Sequence, residues 1–262
     1  MLSSLSRPRA LALCALPVIA LLAVAGLAPL PFSLAQPGST ADVLGEDDGR
    51  PVITIKGVPV RRTEGQLRMT TIVATGPRAE VDFGDVVDSW FRTDRAVLPR
   101  DAVFPPGKSD AEIEKRNLGQ MAESQDSATL AALNYLGKSE DQVDVTLDLP
   151  DIGGPSAGLF FALGIVDKIE GDGAGGDLTG GRNIAGTGTI SADGKVGEVG
   201  GVSLKTQAAR RDGASVFLVP KGECSDARAA LPDGLRLVPV TTLKDAVSSL
   251  RALEQGTKVP SC

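Results

Sequence analysis

The chain has 262 residues, a net charge of −6 and no histidine. A length of this order accommodates one sizeable domain with additional segments. The absence of histidine excludes Ser-His-Asp and Cys-His catalysis and removes the commonest ligand of a zinc site, so we expect no metal. No block of Lys or Arg stands out, which argues against a nucleic-acid partner. Aromatic residues make up only 3% of the chain, so close packing by small side chains is expected.

The N-terminal segment begins with Arg7 and Arg9, and the stretch from 10 to 41 carries no charge. Its apolar part, 10–30, has about the 20 residues that span a bilayer. The positive start predicts that the N-terminus stays inside the cell and that the rest lies outside. A cleaved signal peptide is an alternative, because residues 33–35 resemble a cleavage site, and a buried helix of a soluble domain is a third.

The segments that follow are expected to form a linker and a mixed domain. The expected boundaries are 1–9 (cytoplasmic N-terminus), 10–30 (transmembrane anchor), 31–50 (linker), 51–110 (strand-rich N-terminal part of the domain), 111–255 (main part of the domain) and 256–262 (tail).

Hydrophobic periodicity predicts strands and helices in alternation over the second half of the chain, which favours an α/β or α+β fold. Strands are expected at 52–55, 66–74, 142–149, 183–191, 195–199, 215–219 and 235–240. Helices are expected around 86–91, from Ser109 or Asp110 to about 136, along the apolar run that ends at 169, at 202–211 and at 243–253.

Ser156 lies in a glycine-rich turn that feeds an apolar helix. A serine at such a junction has its hydroxyl near backbone N–H groups and the positive end of a helix, and these donors can stabilise an oxyanion. The alternative is that Ser156 only caps the helix.

A chain without histidine must activate a serine with lysine or a carboxylate. Lys205 follows Gly200-Gly201 on a short helix with apolar neighbours, and burial there would lower its pKa into the range of a general base. A solvated surface charge is the alternative for Lys205.

Six short blocks occur in a fixed order along the chain. They are 65–70 (GQLRMT), 121–124 (MAES), 151–158 (DIGGPSAG), 187–190 (TGTI), 200–205 (GGVSLK) and 216–220 (VFLVP). In this order the blocks resemble the proteolytic domain of the Lon proteases. The I-G-G-P-S-A-G form of the serine block is similar to that of the membrane-anchored Lon-like proteases of Gram-positive bacteria, which usually also carry a PDZ domain.

The resemblance implies an α+β Lon-like proteolytic domain, here behind a single N-terminal transmembrane helix. It implies Ser156 as the nucleophile and Lys205 as the general base. Thr187 matches a threonine that hydrogen-bonds the lysine, with a plain strand residue as its alternative. Gly154 belongs to the serine block, and Glu123 is a candidate for the rim of the site or a solvated helix charge.

Two positions depart from the family pattern. Gly153 stands where Lon has an aspartate three residues before the serine, while Asp151 lies two positions further back, and Ser203 replaces the first lysine of the K-E-K block. A PDZ module is missing, because the residues after Leu136-Gly137 lead almost directly to the serine block. No G-x-x-x-x-G-K-S/T motif occurs, so the sequence indicates no ATPase and no cofactor.

Cys224 and Cys262 are candidates for one disulfide if the domain is exported, or else are two unrelated thiols. The sequence thus predicts an ATP-independent serine endopeptidase at the outer side of the cell membrane, attached through its N-terminal helix. Its expected partners are peptides and unfolded or membrane-proximal protein segments, and a homo-oligomer is one option. A non-catalytic scaffold or binding protein with the same fold is the alternative, and a different Ser/Lys hydrolase such as an amidase is a further one.

Overall fold

The computed structural model describes residues 7–150 and 152–262, without the side chains of residues 9, 10 and 25. The described chain divides into two compact units. The first contains residues 7–35 and 74–107, and the second contains residues 36–73 and 108–262 apart from 151.

The first unit is small and mostly helical. Its elements are α1 (Arg7–Leu27), the first residues of β1 (Phe32–Asp42), α2 (Phe83–Trp90), β6 (Ala96–Pro99) and α3 (Arg100–Val103). β6 pairs antiparallel with the start of β1. Within the residues described, no helix combines the length and the apolarity of a membrane span. The anchor expected at 10–30 is therefore not supported.

The second unit contains the larger α+β core. Its strands are the rest of β1, β2 (Glu46–Asp47), β3 (Arg50–Pro51), β4 (Ile53–Lys56), β5 (Gln66–Ala74), β7 (Asp144–Leu147), β8 (Asn183–Gly186), β9 (Thr189–Ile190), β10 (Val196–Gly197), β11 (Val216–Pro220) and β12 (Arg236–Val240). Its helices are α4 (Asp110–Leu136), α5 (Gly158–Ile169), α6 (Val202–Arg211), α7 (Cys224–Ala229) and α8 (Leu243–Glu254), with a 3-10 turn at Lys221–Glu223.

The main sheet of this unit has the strand order β12-β11-β8-β5-β1. The pairs β12–β11, β11–β8 and β8–β5 are parallel. All five residues of β11 are buried. Parallel strands are typically covered on both faces by helices, and the two hydrophobic clusters of this protein follow that arrangement.

Alternate side chains of β11 enter different clusters. Val216 and Leu218 pack with α5 and α8, whereas Phe217 and Val219 pack with residues of α6 and α7. The period of two along a strand explains this division. The sheet thus has α5 and α8 on one face and α6 and α7 on the other.

The linker expected at 31–50 is wrong. Residues 32–42 form β1, a strand of the main sheet, and β2 and β3 form a short ribbon after it. The buried residues of β1 are small: Ser33, Ala35 and Gly38. A Cβ at Gly38 would lie 2.8 Å from the backbone carbon of Thr71, so the strand needs a glycine to approach β5. The hydrophobicity pattern did not predict this strand, because most of its residues are small or polar.

Candidate active site

Ser156 lies at the carboxyl end of the parallel strands, two residues before α5 begins. It is half-buried. Its carbonyl oxygen accepts hydrogen bonds from the Gly188 N–H at 3.1 Å and from the Thr187 hydroxyl at 3.3 Å. Both donors follow β8 directly, so the end of β8 fixes the backbone of the serine. Ligand sites in open α/β sheets commonly lie at this edge.

The turn that carries Ser156 is pinned to α4. The Gly154 N–H donates to the carbonyl oxygen of Asn117 at 3.0 Å, and Gly154 has a φ of +93°, a conformation that favours glycine. The Ser124 hydroxyl donates to the Pro155 carbonyl oxygen at 3.1 Å. A Cβ at Gly158 would lie only 2.8 Å from the Ser124 oxygen, so α5 can start this close to α4 only with glycine there.

Lys205 reaches the same place from the opposite face of the sheet. Gly201 precedes α6 with a φ of +69° and packs against Ile72. One turn later, Lys205 is only 3% exposed. Its Nζ donates to Thr187 Oγ1 at 3.1 Å, and this hydroxyl in turn donates to the Ser156 carbonyl oxygen. Thr187, itself fully buried, therefore links the lysine to the backbone of the serine.

The buried position of Lys205 changes its acid–base chemistry. Burial disfavours the ammonium form and lowers the pKa of Lys205 to about 8, while the negative charge of Glu223 opposes this fall. An amine with this pKa is about one-tenth neutral at pH 7 and about half neutral at pH 8, so a usable fraction of it can accept a proton at neutral and mildly alkaline pH. A lysine of this kind, linked through Thr187 to a serine just before the N-terminus of a helix, is suited to nucleophilic catalysis.

The residues expected at the site do not all meet there. Ser156, Thr187 and Lys205 come together through the contacts above, and Gly154 holds the turn. Glu123 is exposed on α4 and lines a cleft of about 290 Å³ with Ser124 and Pro155. Asp151 lies outside the described residues.

The two departures from the family pattern have structural counterparts. A Cβ at Gly153 would lie 3.0 Å from the Cβ of Asn117, so α4 leaves little room for an aspartate there. Ser203 lies in the first turn of α6, where its N–H donates to Asp226 Oδ2 at 3.3 Å.

Three residues near the site were missed as functional candidates. Ser124 stands in the MAES block, so a signal for it existed. Glu223 and Asp226 lie just after β11 and contact the backbone around the start of α6, as described below. No motif marks them, because their roles depend on the packing of α7 against α6.

Cys224 and Cys262 form a disulfide, with their Cα atoms 5.3 Å apart. The bond attaches the C-terminal tail to α7, and both cysteines pack against the cluster between the sheet and α6. Cys14, in α1, is a free and exposed thiol.

Residues 98–252 match the family model of the Lon protease (S16) C-terminal proteolytic domain. The Lon protease of Neorickettsia sennetsu is 29% identical over 177 residues, which are 61% of this chain and 20% of that protein. Lon protease 1 of Myxococcus xanthus is 27% identical over 184 residues, 64% of this chain and 21% of that protein. The mitochondrial Lon protease homolog of Drosophila melanogaster is 34% identical over 143 residues, 49% of this chain and 13% of that protein.

The matched region thus spans about a fifth or less of each of these relatives. The family model, in contrast, covers more than half of the present chain and includes α4, α5 and α6. The protein belongs to the family of the Lon protease C-terminal proteolytic domain.

Proposed function

We propose that this protein is a serine endopeptidase that cleaves peptides and unfolded protein segments without ATP, with Ser156 as the nucleophile and Lys205 as the general base. The observation that carries the proposal is the buried Lys205, whose Nζ bonds the Thr187 hydroxyl, which in turn bonds the Ser156 carbonyl oxygen. The three residues of this link all lie in the described domain, so the proposed cleavage step itself uses no nucleotide.

The chemistry follows from the proton affinity of Lys205. In its neutral form, the lysine takes the proton from Ser156 Oγ while this oxygen attacks the scissile carbonyl carbon. The carbonyl electron pair moves to the oxygen, where backbone N–H groups near the start of α5 can stabilise the charge. The Lys205 ammonium then gives its proton to the leaving amine as the C–N bond breaks. Water hydrolyses the acyl-serine with Lys205 again acting as the base.

Thr187 has a positioning role in this scheme. Its hydroxyl accepts from Lys205 and donates to the serine backbone, so it restricts the movement of both. The burial of Lys205 keeps the amine neutral at a pH where an exposed lysine would be charged. The two features together supply a base in a fixed place with a suitable pKa.

The test is proteolysis of an unfolded protein by the full chain without ATP. Wild type is expected to produce fragments detectable by mass spectrometry, whereas Ser156→Ala and Lys205→Ala produce none. Lys221→Ala is the matched control, because Lys221 is an exposed lysine nearby in sequence. If folded wild type cleaves no substrate, or if Ser156→Ala cleaves as well as wild type, the proposal fails. A folded but inactive wild type would favour the non-catalytic scaffold.

We also propose that the domain works outside the cytoplasm. The Cys224–Cys262 disulfide supports this location, because such bonds persist in oxidising compartments. Attachment to the membrane through 10–30 stays a prediction, as does a homo-oligomer. In intact cells, a membrane-impermeant protease added outside should digest the domain. Resistance to digestion in intact cells, with digestion after lysis, would contradict the external location.

A further inference from the structure

Two carboxylates hold the backbone that leads into the helix of Lys205. The Val199 N–H donates to Glu223 Oε1 at 3.0 Å. The N–H groups of Val202 and Ser203 donate to Asp226 Oδ2 at 3.0 and 3.3 Å. The first turn of a helix has N–H groups without partners inside the helix, so Asp226 acts as a cap for α6 supplied from α7.

Glu223 differs from Asp226 in one respect. Its Oε2 is buried and has no hydrogen-bond partner among the described residues. Burial of a carboxylate oxygen without a partner is unfavourable, so a purely structural role leaves this oxygen unexplained. The bond to Val199 needs only Oε1.

Glu223 lies beside the start of the helix that carries Lys205. It is hydrogen-bonded to Val199, and the Lys205 N–H donates to the carbonyl oxygen of Gly201, two residues further along the chain. The side chains of Glu223 and Lys205 form no ion pair within 4.0 Å in the part of the chain described, yet each shifts the other's pKa towards its charged form. Burial raises the pKa of Glu223, and the nearby carboxylates of Glu198 and Asp226 add to this rise. Glu223 is the charged neighbour that favours the ammonium of Lys205.

We propose, on the basis of the protease function above, that Glu223 is a positioning residue whose negative charge stabilises the Lys205 ammonium formed when the lysine takes the proton of Ser156. The proton stays on Lys205 until it passes to the leaving amine, and Glu223 takes part in no bond making or breaking. The residue thus does for the lysine what an acidic third member does for the histidine of a catalytic triad.

This role has two opposite effects on the rate. The negative charge raises the lysine's proton affinity, so at low pH less of the lysine is neutral and available as a base. The same charge stabilises the developing ammonium in the transition state, so the rate is higher once the lysine is neutral. The rate constant of a general base changes less than the base's proton affinity does. Removal of the Glu223 charge should therefore raise the rate at low pH and lower it at high pH, so that the pH–rate profiles of variant and wild type cross.

The test compares kcat/KM for a peptide substrate between pH 6 and 10 for the full chain and for Glu223→Gln. Glutamine retains an oxygen that can accept from Val199. We expect the variant to be about threefold faster at pH 6.5 and about threefold slower at pH 9.5, with its apparent pKa below that of wild type. Glu198→Gln is the matched control, because it removes an exposed neighbouring carboxylate and should leave the profile unchanged. An equal loss at every pH, or an unchanged apparent pKa, would overturn the inference.

A second measurement is independent of turnover. The pKa of Lys205 is measured by NMR in Ser156→Ala protein labelled with ¹³C-lysine, from the titration of its ε-carbon signal. The same titration is made in the Ser156→Ala protein that also carries Glu223→Gln. The Lys205 signal is the one that is lost in Lys205→Arg. The pKa of Lys205 is expected to fall in the Glu223→Gln protein. An unmoved pKa overturns the role of Glu223 even where wild type cleaves substrate. If Glu223→Gln lowers the pKa of Lys205 but wild type cleaves no substrate, the coupling of Glu223 to Lys205 is supported and only the protease function is overturned.

Discussion

Two buried ionisable side chains lie in different parts of the second unit and show what burial alone does and does not imply. Lys205 is at the carboxyl end of the sheet, and Asp167 is near the end of α5. Burial lowers the pKa of Lys205 to about 8 and raises the pKa of Asp167 to about 6. The cause is the same, since a medium of low polarity disfavours the charged form of either group.

The surroundings of the two groups differ. The Lys205 amine is hydrogen-bonded through Thr187 to the backbone of a half-buried serine. Asp167 Oδ1 accepts the N–H of Leu178 at 2.7 Å, and its Oδ2 has no partner among the described residues. Asp167 thus holds the glycine-rich loop after α5 in place, with no nucleophile bonded to it. A displaced pKa therefore indicates a catalytic group only where the neighbouring contacts lead to a reactive atom.

The largest expected effect is on the lysine itself. Lys205→Met should reduce proteolysis on the order of 10³-fold or more, because the serine loses its base. It should also stabilise the fold at pH 7 by up to about 3 kcal/mol, since the native pKa of about 8 lies below the ordinary 10.5. Between about pH 8 and 10.5 the folded wild type binds fewer protons than the unfolded state, so its stability rises with pH. The difference in stability between Lys205→Met and wild type should therefore shrink over that range.

Urea unfolding at pH 7 and pH 10, together with the activity assay, measures both effects. Lys221→Met, at an exposed position, is the control. A variant that loses activity and is also less stable at pH 7 would mean that Lys205 is mainly a packing residue.

Asp167→Asn tests the other buried group. The native pKa of about 6 lies above the ordinary 3.8, so the folded state binds more protons and wild-type stability falls as the pH rises from about 4 to above 6. This loss amounts to about 3 kcal/mol. Asparagine keeps an oxygen for Leu178 and does not titrate, so this pH dependence should disappear while proteolysis is retained.

The measurement is the free energy of unfolding between pH 4 and 8, with the exposed Asp141→Asn as the control. An unaltered pH dependence in Asp167→Asn would show that Asp167 does not titrate as described. Loss of proteolysis in folded Asp167→Asn would contradict the distinction between Lys205 as a catalytic group and Asp167 as a structural one.

Thr187→Val removes the hydroxyl between lysine and serine and keeps the shape of the side chain. The loss of this hydrogen-bonded link should lower kcat by about tenfold to a hundredfold, which corresponds to about 1–3 kcal/mol. Thr187→Ser retains the hydroxyl and should recover most of the rate. Equal rates for the valine variant and wild type would exclude the positioning role.

The smallest effect is expected at the cap of α6. Asp226→Ala leaves the N–H groups of Val202 and Ser203 without their carboxylate and should destabilise the fold by about 1 kcal/mol. Because Asp226 acts on the helix rather than on the amine, the apparent pKa of the rate should stay unchanged. Thermal unfolding and the pH–rate profile separate these two outcomes, and a moved apparent pKa would contradict the assignment.

Much of the local structure could be predicted where the sequence has strong local signals. The strand at 66–74 matches β5, and α4 is capped by Ser109 and ends before Gly137 in a left-handed conformation. These elements depend on β-branched residues, a capping box and a C-terminal glycine. β1 was missed because its buried residues are small and its pairing depends on the close approach of Gly38 to Thr71.

The candidate site was predictable only in part for a similar reason. The serine and lysine blocks indicated which residues to compare, but Ser156 and Lys205 approach from helices on opposite faces of the sheet. Their meeting therefore depends on strand order. Glu223 was not predictable at all, because its effect on Lys205 arises from the packing of the segment after β11 against α6.

The most direct test of Lys205 as the base is the rate at which a serine-reactive phosphonate probe labels Ser156 between pH 6 and 10, followed by intact-protein mass spectrometry. Labelling of wild type is expected to rise through an apparent pKa of about 8, the value that burial gives Lys205, and Lys205→Met is expected to abolish it. Labelling of Ser156 that continues in Lys205→Met, or that rises only near the ordinary pKa of an exposed lysine, would contradict the assignment of Lys205 as the base.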